Sequence, residues 1–331
     1  MRRREFIKLV GGTVLVRPLA ARAQQQGNEM RRLGVLAGNA ANDPVWQPRV
    51  AALLQGLAAL NWKEDRNLRI DWRYGGGDHA RMARFAGELV AFAPDVILAV
   101  STPCVEELRR RTSTIPIVFA IITDPVGQGF VASLSRPGGN ITGFTDFDTP
   151  MAGKWLGMLA QITPPVAHVA VLYNPATAPF AGLLLRAIEE AASSLAVRVR
   201  AAPVHDLAEI DLVMTTLSQE ERSGLLVLPD VFTIVNRAFI IASAARTHLP
   251  AVYWNRSFAA DGGLMSYGID NADLLRRSAV YIDRILNGAK PSDLPVQNPT
   301  KFELVINLKT ANAFGITVAP SLLNSADEVI E

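Results

Sequence analysis

From about residue 33 onward, short apolar runs alternate with segments whose apolar residues recur every three or four positions. Residues 33–37 read as a first strand. Val50, Leu53, Leu54 and Leu57 then follow the i, i+3, i+4, i+7 rule, which predicts an amphipathic helix. Residues 68–74 alternate Leu68, Ile70 and Trp72 as a second strand. The glycines at 75–77 end it, and Asp78 suits a helix cap. Residues 95–100 are nearly all apolar, which predicts a strand covered on both faces. Ser101-Thr102-Pro103 then opens a helix, with a hydroxyl at the cap and proline in the first turn. Residues 117–121 form a fourth strand. This is a β-α-β run, and it predicts a parallel sheet with right-handed crossovers.

The rhythm breaks at Arg136-Pro137-Gly138-Gly139-Asn140, and residues 141–144, a short strand after it, read as the first crossing between two lobes. A second series begins near residue 150. Its strands are expected at 169–173, 197–201, 224–228, 251–254 and 263–267, with an extended tail segment at 302–308. Leu184, Ile188, Ala191 and Leu195 share one helix face; Leu275, Ala279, Ile282 and Leu286 share another. A further helix starts from Asp206. The fold class is therefore α/β, with two doubly wound, Rossmann-like lobes.

In an open parallel sheet, ligands bind beyond the carboxyl ends of the strands, where helix N-termini offer free N–H groups. In the first half those ends carry Gly38, Asn39, Ser101, Thr102, Thr123 and Asp124. In the second they carry Asn174, Asp230, Asn255 and Tyr267. These amides, hydroxyls and carboxylates can hydrogen-bond a solute without covalent chemistry. The candidate ligand-binding set is Asn39, Ser101, Thr102, Thr123, Asp124, Asn174, Asp230, Asn255 and Tyr267. Asp78, Ser101 and Asp124 fit helix caps equally well, and Asn174-Pro175 fits a turn. Trp46, Tyr173, Phe232, Tyr253, Trp254 and Phe258 lie near the same ends, but Trp72 and Trp254 sit inside strand patterns and read as core.

Charge placement adds a leader. The chain has 331 residues and a formal net charge of +2, with 33 basic and 31 acidic residues. Six of the basic residues and one acidic residue lie in residues 1–23, so the rest carries 27 against 30, a net charge of −3. That body has no electrostatic footprint for nucleic acid. Residues 1–23 run from Arg2-Arg3-Arg4 through a short apolar stretch to Ala21-Arg22-Ala23. This is the order of a secretory signal cleaved near Ala23, and the paired arginines before Phe6-Ile7-Lys8 resemble a twin-arginine signal. The expected location is the periplasm. The apolar stretch is too short to span a bilayer.

Catalytic patterns are missing. The sequence has no G-x-S-x-G elbow, no phosphate-binding G-x-x-x-x-G-K-[ST] loop and no dinucleotide fingerprint after the first strand. His79, His168, His205 and His248 have no metal-ligand spacing. Cys104 is the one cysteine, so it forms no intramolecular disulfide and reads as a small buried residue. Asp146 and Asp148 read as a solvated loop pair. No enzyme activity, metal or cofactor is expected.

Several stretches together carry a family resemblance: residues 1–8, Ser113-Thr-Ile-Pro-Ile-Val-Phe119, Asp124-Pro-Val-Gly127, residues 133–143 with Arg136-Pro-Gly-Gly-Asn140, residues 262–268 and residues 301–308. They resemble ABC-transporter substrate-binding proteins of the tryptophan/tyrosine-type group, over nearly the whole chain. The resemblance implies the type I periplasmic binding fold, with three crossings near residues 143–150, 267–272 and 295–302 and domain closure around a small-molecule ligand. Lobe one would comprise residues 30–144 plus about 270–298. Lobe two would comprise 145–268 plus about 300–331. The resemblance further implies delivery to an ABC permease in the inner membrane by a monomer, with aromatic amino acids or related aromatic acids as the first expectation for the solute. A periplasmic ligand-sensing protein acting on a signalling partner is the alternative. Unlike many relatives, the sequence has no cysteine near the leader to carry a lipid anchor.

Overall fold

The computed structural model describes residues 30–147 and 150–331. The export signal read in residues 1–23, and Asp148, lie outside the described residues.

The first sheet contains β1 (Arg31–Ala37), β2 (Leu68–Tyr74), β3 (Val96–Val100), β4 (Ile117–Ile122) and β5 (Ile141–Thr145), in the order β2-β1-β3-β4-β5 with every pair parallel. All five residues of β3 are buried, as a parallel strand with helices on both faces requires. The helices of this layer are α1 (Trp46–Ala59), α2 (His79–Ala91) and α3 (Thr102–Arg109). Residues 141–145 correct one expectation. They form the edge strand of this sheet, and the passage to the second lobe follows them.

The chain continues through α4 (Pro150–Leu159), β6 (Ile162–Thr163), β7 (His168–Tyr173), α5 (Ala181–Leu195), β8 (Arg198–Pro203), α6 (Leu207–Ser218) and β9 (Ser223–Val227). Then come α7 (Val231–Val235), α8 (Arg237–Arg246), β10 (Ala251–Tyr253), α9 (Arg256–Ala260) and β11 (Met265–Ile269). The last elements are α10 (Asn271–Leu286), β12 (Phe302–Asn307), α11 (Leu308–Ala313), β13 (Thr317–Val318), α12 (Pro320–Asn324) and β14 (Glu328–Ile330). The second sheet has the order β14-β12-β11-β10-β9-β7-β8. Its β8-β7-β9-β10-β11 portion repeats the β2-β1-β3-β4-β5 plan of the first. The tail strand β12 runs antiparallel to β11, and β14 runs parallel to β12. Strands β6 and β13 pair in a small separate sheet that sequence periodicity did not indicate.

Helix α10 returns to the first layer although it follows a strand of the second. Its buried face (Leu275, Ala279, Ile282) packs on α1 and on strands β3 to β5. The helices approach so closely at Gly56 that a Cβ there would lie 2.7 Å from the Arg276 carbonyl oxygen and 2.8 Å from the Ala279 Cβ. The chain thus passes between the layers after Thr145, after Ile269 and again before Phe302. The third passage is tied to the first: the Thr145 N–H donates to the Gln297 carbonyl at 2.9 Å, and the Gln297 N–H to the Gly143 carbonyl at 3.0 Å.

Candidate functional site

Each sheet reverses its strand order between two neighbours, β1/β3 in one and β7/β9 in the other. The carboxyl ends beside such a reversal leave a crevice where helices diverge. Both crevices contribute to one cavity, with about 420 Å³ of space free of atoms. The first lobe supplies Asn39 after β1, Arg49 from α1, Val100, Ser101 and Thr102 at the β3–α3 junction, Ile121, and Asp146 after β5. The second lobe supplies Thr177 and Phe180 before α5, Pro229 and Asp230 after β9, Val231 and Ile234 from α7, and Trp254 after β10.

The backbone is strained on the first lobe's side of this cavity. Ser101 has φ 93° and Ile121 has φ 61°. A β-branched residue in the left-handed region costs about 1–3 kcal/mol and persists only where its surroundings impose it. For Ile121 the imposing feature is a register shift between Ala120 and Ile122 in the β4–β5 pairing. The Ser101 hydroxyl makes no helix-capping bond, contrary to expectation. It donates to the Cys104 sulfur at 3.3 Å instead. Cys104 is fully buried, which pushes its thiol up to about 12.

Asp230 is the organising residue on the other side. One carboxylate oxygen accepts the Asn174 N–H at 2.8 Å. The second accepts the Phe232 N–H at 2.9 Å and the Thr177 hydroxyl. Complete burial raises its pKa to about 7, against the lowering effect of these three hydrogen bonds. In the first lobe, Asp146 accepts the Thr123 hydroxyl and the Phe147 N–H, each at 2.8 Å. The Asn39 amide donates to Asp43 at 3.1 Å.

The nine sequence candidates separate by position. Asn39, Ser101, Thr102 and Asp230 line the interlobe cavity. Thr123 and Asp124 line a neighbouring one of about 530 Å³. There Asp124, at φ 47°, accepts the Gly127 N–H at 2.8 Å as a turn residue. Asn255 caps α9 through the Ser257 N–H and lines a third cavity, of about 740 Å³. Asn174 accepts the Ala176 N–H in a turn and orients Asp230 through its own N–H. Tyr267 lines none of these three cavities; its ring stacks on Phe302 at 6.0 Å.

Among the aromatics, Tyr253 and Phe258 are buried and stack on each other at 4.6 Å, within the core. Trp254, read from the sequence as core, is buried and also forms cavity wall; its Nε1 donates to Thr233 at 3.3 Å. Phe180 was missed because it sits in a turn-like stretch without periodicity. Arg49 was missed although a signal existed. It lies three residues after Trp46 and four before Leu53, so helical spacing places it on the inward face, where a charge is exceptional. It is 4% exposed.

The wall is thus mainly apolar, with two aromatic rings, and carries Arg49, Asp146 and Asp230 as charge-bearing groups. Among the described residues no histidine, cysteine or lysine lines it. That composition suits holding a small molecule with a flat apolar body and a polar or charged end.

Comparison with known proteins agrees with this picture. The profile of the family described as ABC transporter substrate binding protein matches residues 42–330. A tyrosine-binding protein of Clostridioides difficile is 25% identical over 261 residues, covering 78% of this chain and 74% of the relative. The crystal structure of an ABC domain from Streptococcus pneumoniae in complex with L-Trp superposes with a TM-score of 0.82 at 28% identity. It covers 91% of this chain and 100% of its own. A conserved domain protein from Vibrio cholerae gives the same TM-score at 27% identity, covering 91% and 99% of the two chains.

Proposed function

We propose, from the premise that this chain belongs to the family of ABC transporter substrate-binding proteins, that its solute is an aromatic amino acid, captured between the lobes and delivered to an ABC permease. The type I periplasmic binding fold supplies the frame. The observation that carries the reading is the cavity at the two strand-order reversals. One side presents Trp254 and Phe180 for a ring, and the other presents Asn39, Ser101 and Thr102 for a polar end. The Asp146 carboxylate in the same wall complements an α-ammonium group. The names of the clostridial tyrosine-binding relative and of the pneumococcal L-Trp complex support this solute class.

In this reading residues 1–23 direct export, and the mature chain works in the periplasm as a monomer without catalysing a reaction. Lobe one comprises residues 30–144 plus about 270–298, and lobe two residues 145–268 plus about 300–331. The lobes move about the three passages and bound solute favours the closed arrangement. A thermal-denaturation screen tests the solute class. L-Tryptophan, L-tyrosine and L-phenylalanine are expected to raise the melting temperature by mass action, and hexoses and polyols are not. Stabilisation by sugars alone would sink the proposal.

A further inference from the structure

Arg49 is the unusual charge in this molecule. It is nearly completely buried, yet among the described residues it has no hydrogen-bond acceptor and no carboxylate within ion-pair distance. Burial lowers its pKa to about 10, which leaves it charged at neutral pH. Two carboxylates act on it electrostatically, and both are committed elsewhere. Asp43 accepts from Arg237 at 3.1 Å, from Asn39 at 3.1 Å and from the Val45 N–H at 3.0 Å. Asp270 caps α10 through the Ala272 and Asp273 N–H groups, each at 3.0 Å.

Arg49 lines the interlobe cavity and also the larger cavity of about 740 Å³ beside the passage from β11 to α10. The other cations of that larger cavity are paired: Arg237 with Asp43 and Asp261, Arg256 with Glu328. The same cavity is lined by Asn271, the first residue of α10. Asn271 is 5% exposed, and both its Nδ2 and its Oδ1 lack a hydrogen-bond partner among the described residues. Buried polar groups are satisfied in the great majority of cases. A buried cation and a buried amide that line one cavity and lack partners among the described residues suit a ligand group that is anionic and hydrogen-bonding.

We infer that Arg49, which lines both cavities, is the recognition point for a carboxylate on the solute, assisted by Asn271 in the wall of the larger one. The inference rests on the reading of the interlobe cavity as the solute site. It adds that the acid group, and not the ring alone, is selected. An arginine fork pairs with a carboxylate in bidentate fashion, and the Asn271 amide can donate to a carboxylate oxygen. With the anion in place the buried guanidinium is neutralised; without it the closed state carries an unpaired buried charge. Solute binding and lobe closure are coupled by that difference.

The test is calorimetric titration with L-tryptophan and L-tryptophan amide of the wild-type protein and of R49Q, R49K and N271A, with thermal denaturation confirming that each variant folds. The wild-type protein should prefer the acid over the amide by about 30-fold or more, and R49Q should weaken L-tryptophan by a similar factor while bringing the acid-to-amide ratio to within about threefold. N271A should weaken the acid by about three- to tenfold. A folded R49Q that binds L-tryptophan within threefold of wild type overturns the inference. So does a wild-type protein that binds the amide as tightly as the acid, and that ratio decides the matter if R49Q does not fold. If no aromatic amino acid binds, the aromatic reading fails separately. A stability screen of aliphatic amino acids and dicarboxylates against polyols then judges Arg49. Carboxylates that stabilise wild type but not R49Q support the inference, and stabilisation by polyols alone, or none by carboxylates, overturns it.

Discussion

The Arg237 guanidinium, carried by the second lobe, donates to the Asp43 carboxylate of the first at 3.1 Å. The Arg237 side chain is 12% exposed and that of Asp43 is 6% exposed, so solvent screens this pair far less than the surface pairs elsewhere in the chain. Arg237 also reaches Asp261 in its own lobe at 2.9 Å, a contact that does not depend on the first lobe. The arrangement bridges the two lobes, and under the proposed closure it would form only with the lobes together. D43A and R237A should each shift the protein toward an open form and weaken solute binding by about 5- to 50-fold, with a coupling energy of roughly 1–3 kcal/mol in the double-mutant cycle. Calorimetry supplies the affinities. Small-angle scattering supplies the opening, as a larger radius of gyration; unchanged scattering and affinity would show that the bridge plays no part in closure.

Gly38 provides a steric counterpart to that bridge. A Cβ at this position would come within 2.6 Å of the Val231 Cγ2 across the gap and within 2.6 Å of the Ser101 Oγ. The loop after β1 therefore touches α7 only because it has no side chain there. G38A should leave each lobe folded but hold them apart, and G38V should do so more strongly. The expected loss of affinity is about tenfold for G38A, with a small change in melting temperature, as overpacking at a movable contact costs about 1–3 kcal/mol. Full affinity in G38V would argue against this closed contact.

The raised pKa of Asp230, about 7, carries a sign that can be tested. An unfolded aspartate titrates near 4, so burial favours the protonated form. Its contribution to stability is fully present below about pH 4 and is lost as pH rises through about 7. D230A should remove that component of the pH dependence of the melting temperature between pH 4 and pH 7. It should also lower stability at every pH by about 1–3 kcal/mol or more, because the Asn174 and Phe232 N–H groups lose their acceptor. An unaltered pH profile in a folded D230A would assign the dependence to other groups.

Cys104 offers a readout of unfolding. Its thiol is buried, with a pKa pushed up to about 12 by burial, and thiolates are the reactive species. Alkylation by iodoacetamide at pH 8 should proceed only through opening of the first lobe, and solute should slow it further. Labelling at the rate of a free thiol in the native protein would contradict the packing of α3 on β3.

The architecture was legible in the sequence because apolar periodicity reports burial directly. The apolar run at residues 96–100 became a completely buried parallel strand, and Leu275, Ala279 and Ile282 became the buried face of α10. Those residues read the same whichever neighbour they pack on. Strand-end polar residues were legible as a class, but which of them share a cavity was not. Asn39, Ser101, Thr102 and Asp230 meet because two sheets reverse their strand order at facing positions. Thr123 and Asp124 follow a strand end just as well, yet they line different space.

By itself the sequence determined two α/β layers, the boundaries of their main strands to within a few residues, and the supply of small polar groups at strand ends. Local hydrogen bonding and periodic burial set these features. Only the tertiary structure decided that α10 packs on α1, that β12 runs antiparallel, and that Trp254 is both core and cavity wall. It also decided that Arg49, at a core position of its helix, reaches the cavity wall with no hydrogen-bond or ion-pair partner among the described residues. A side chain's pairing depends on residues hundreds of positions away, and helical spacing records which face is inward but not what waits there.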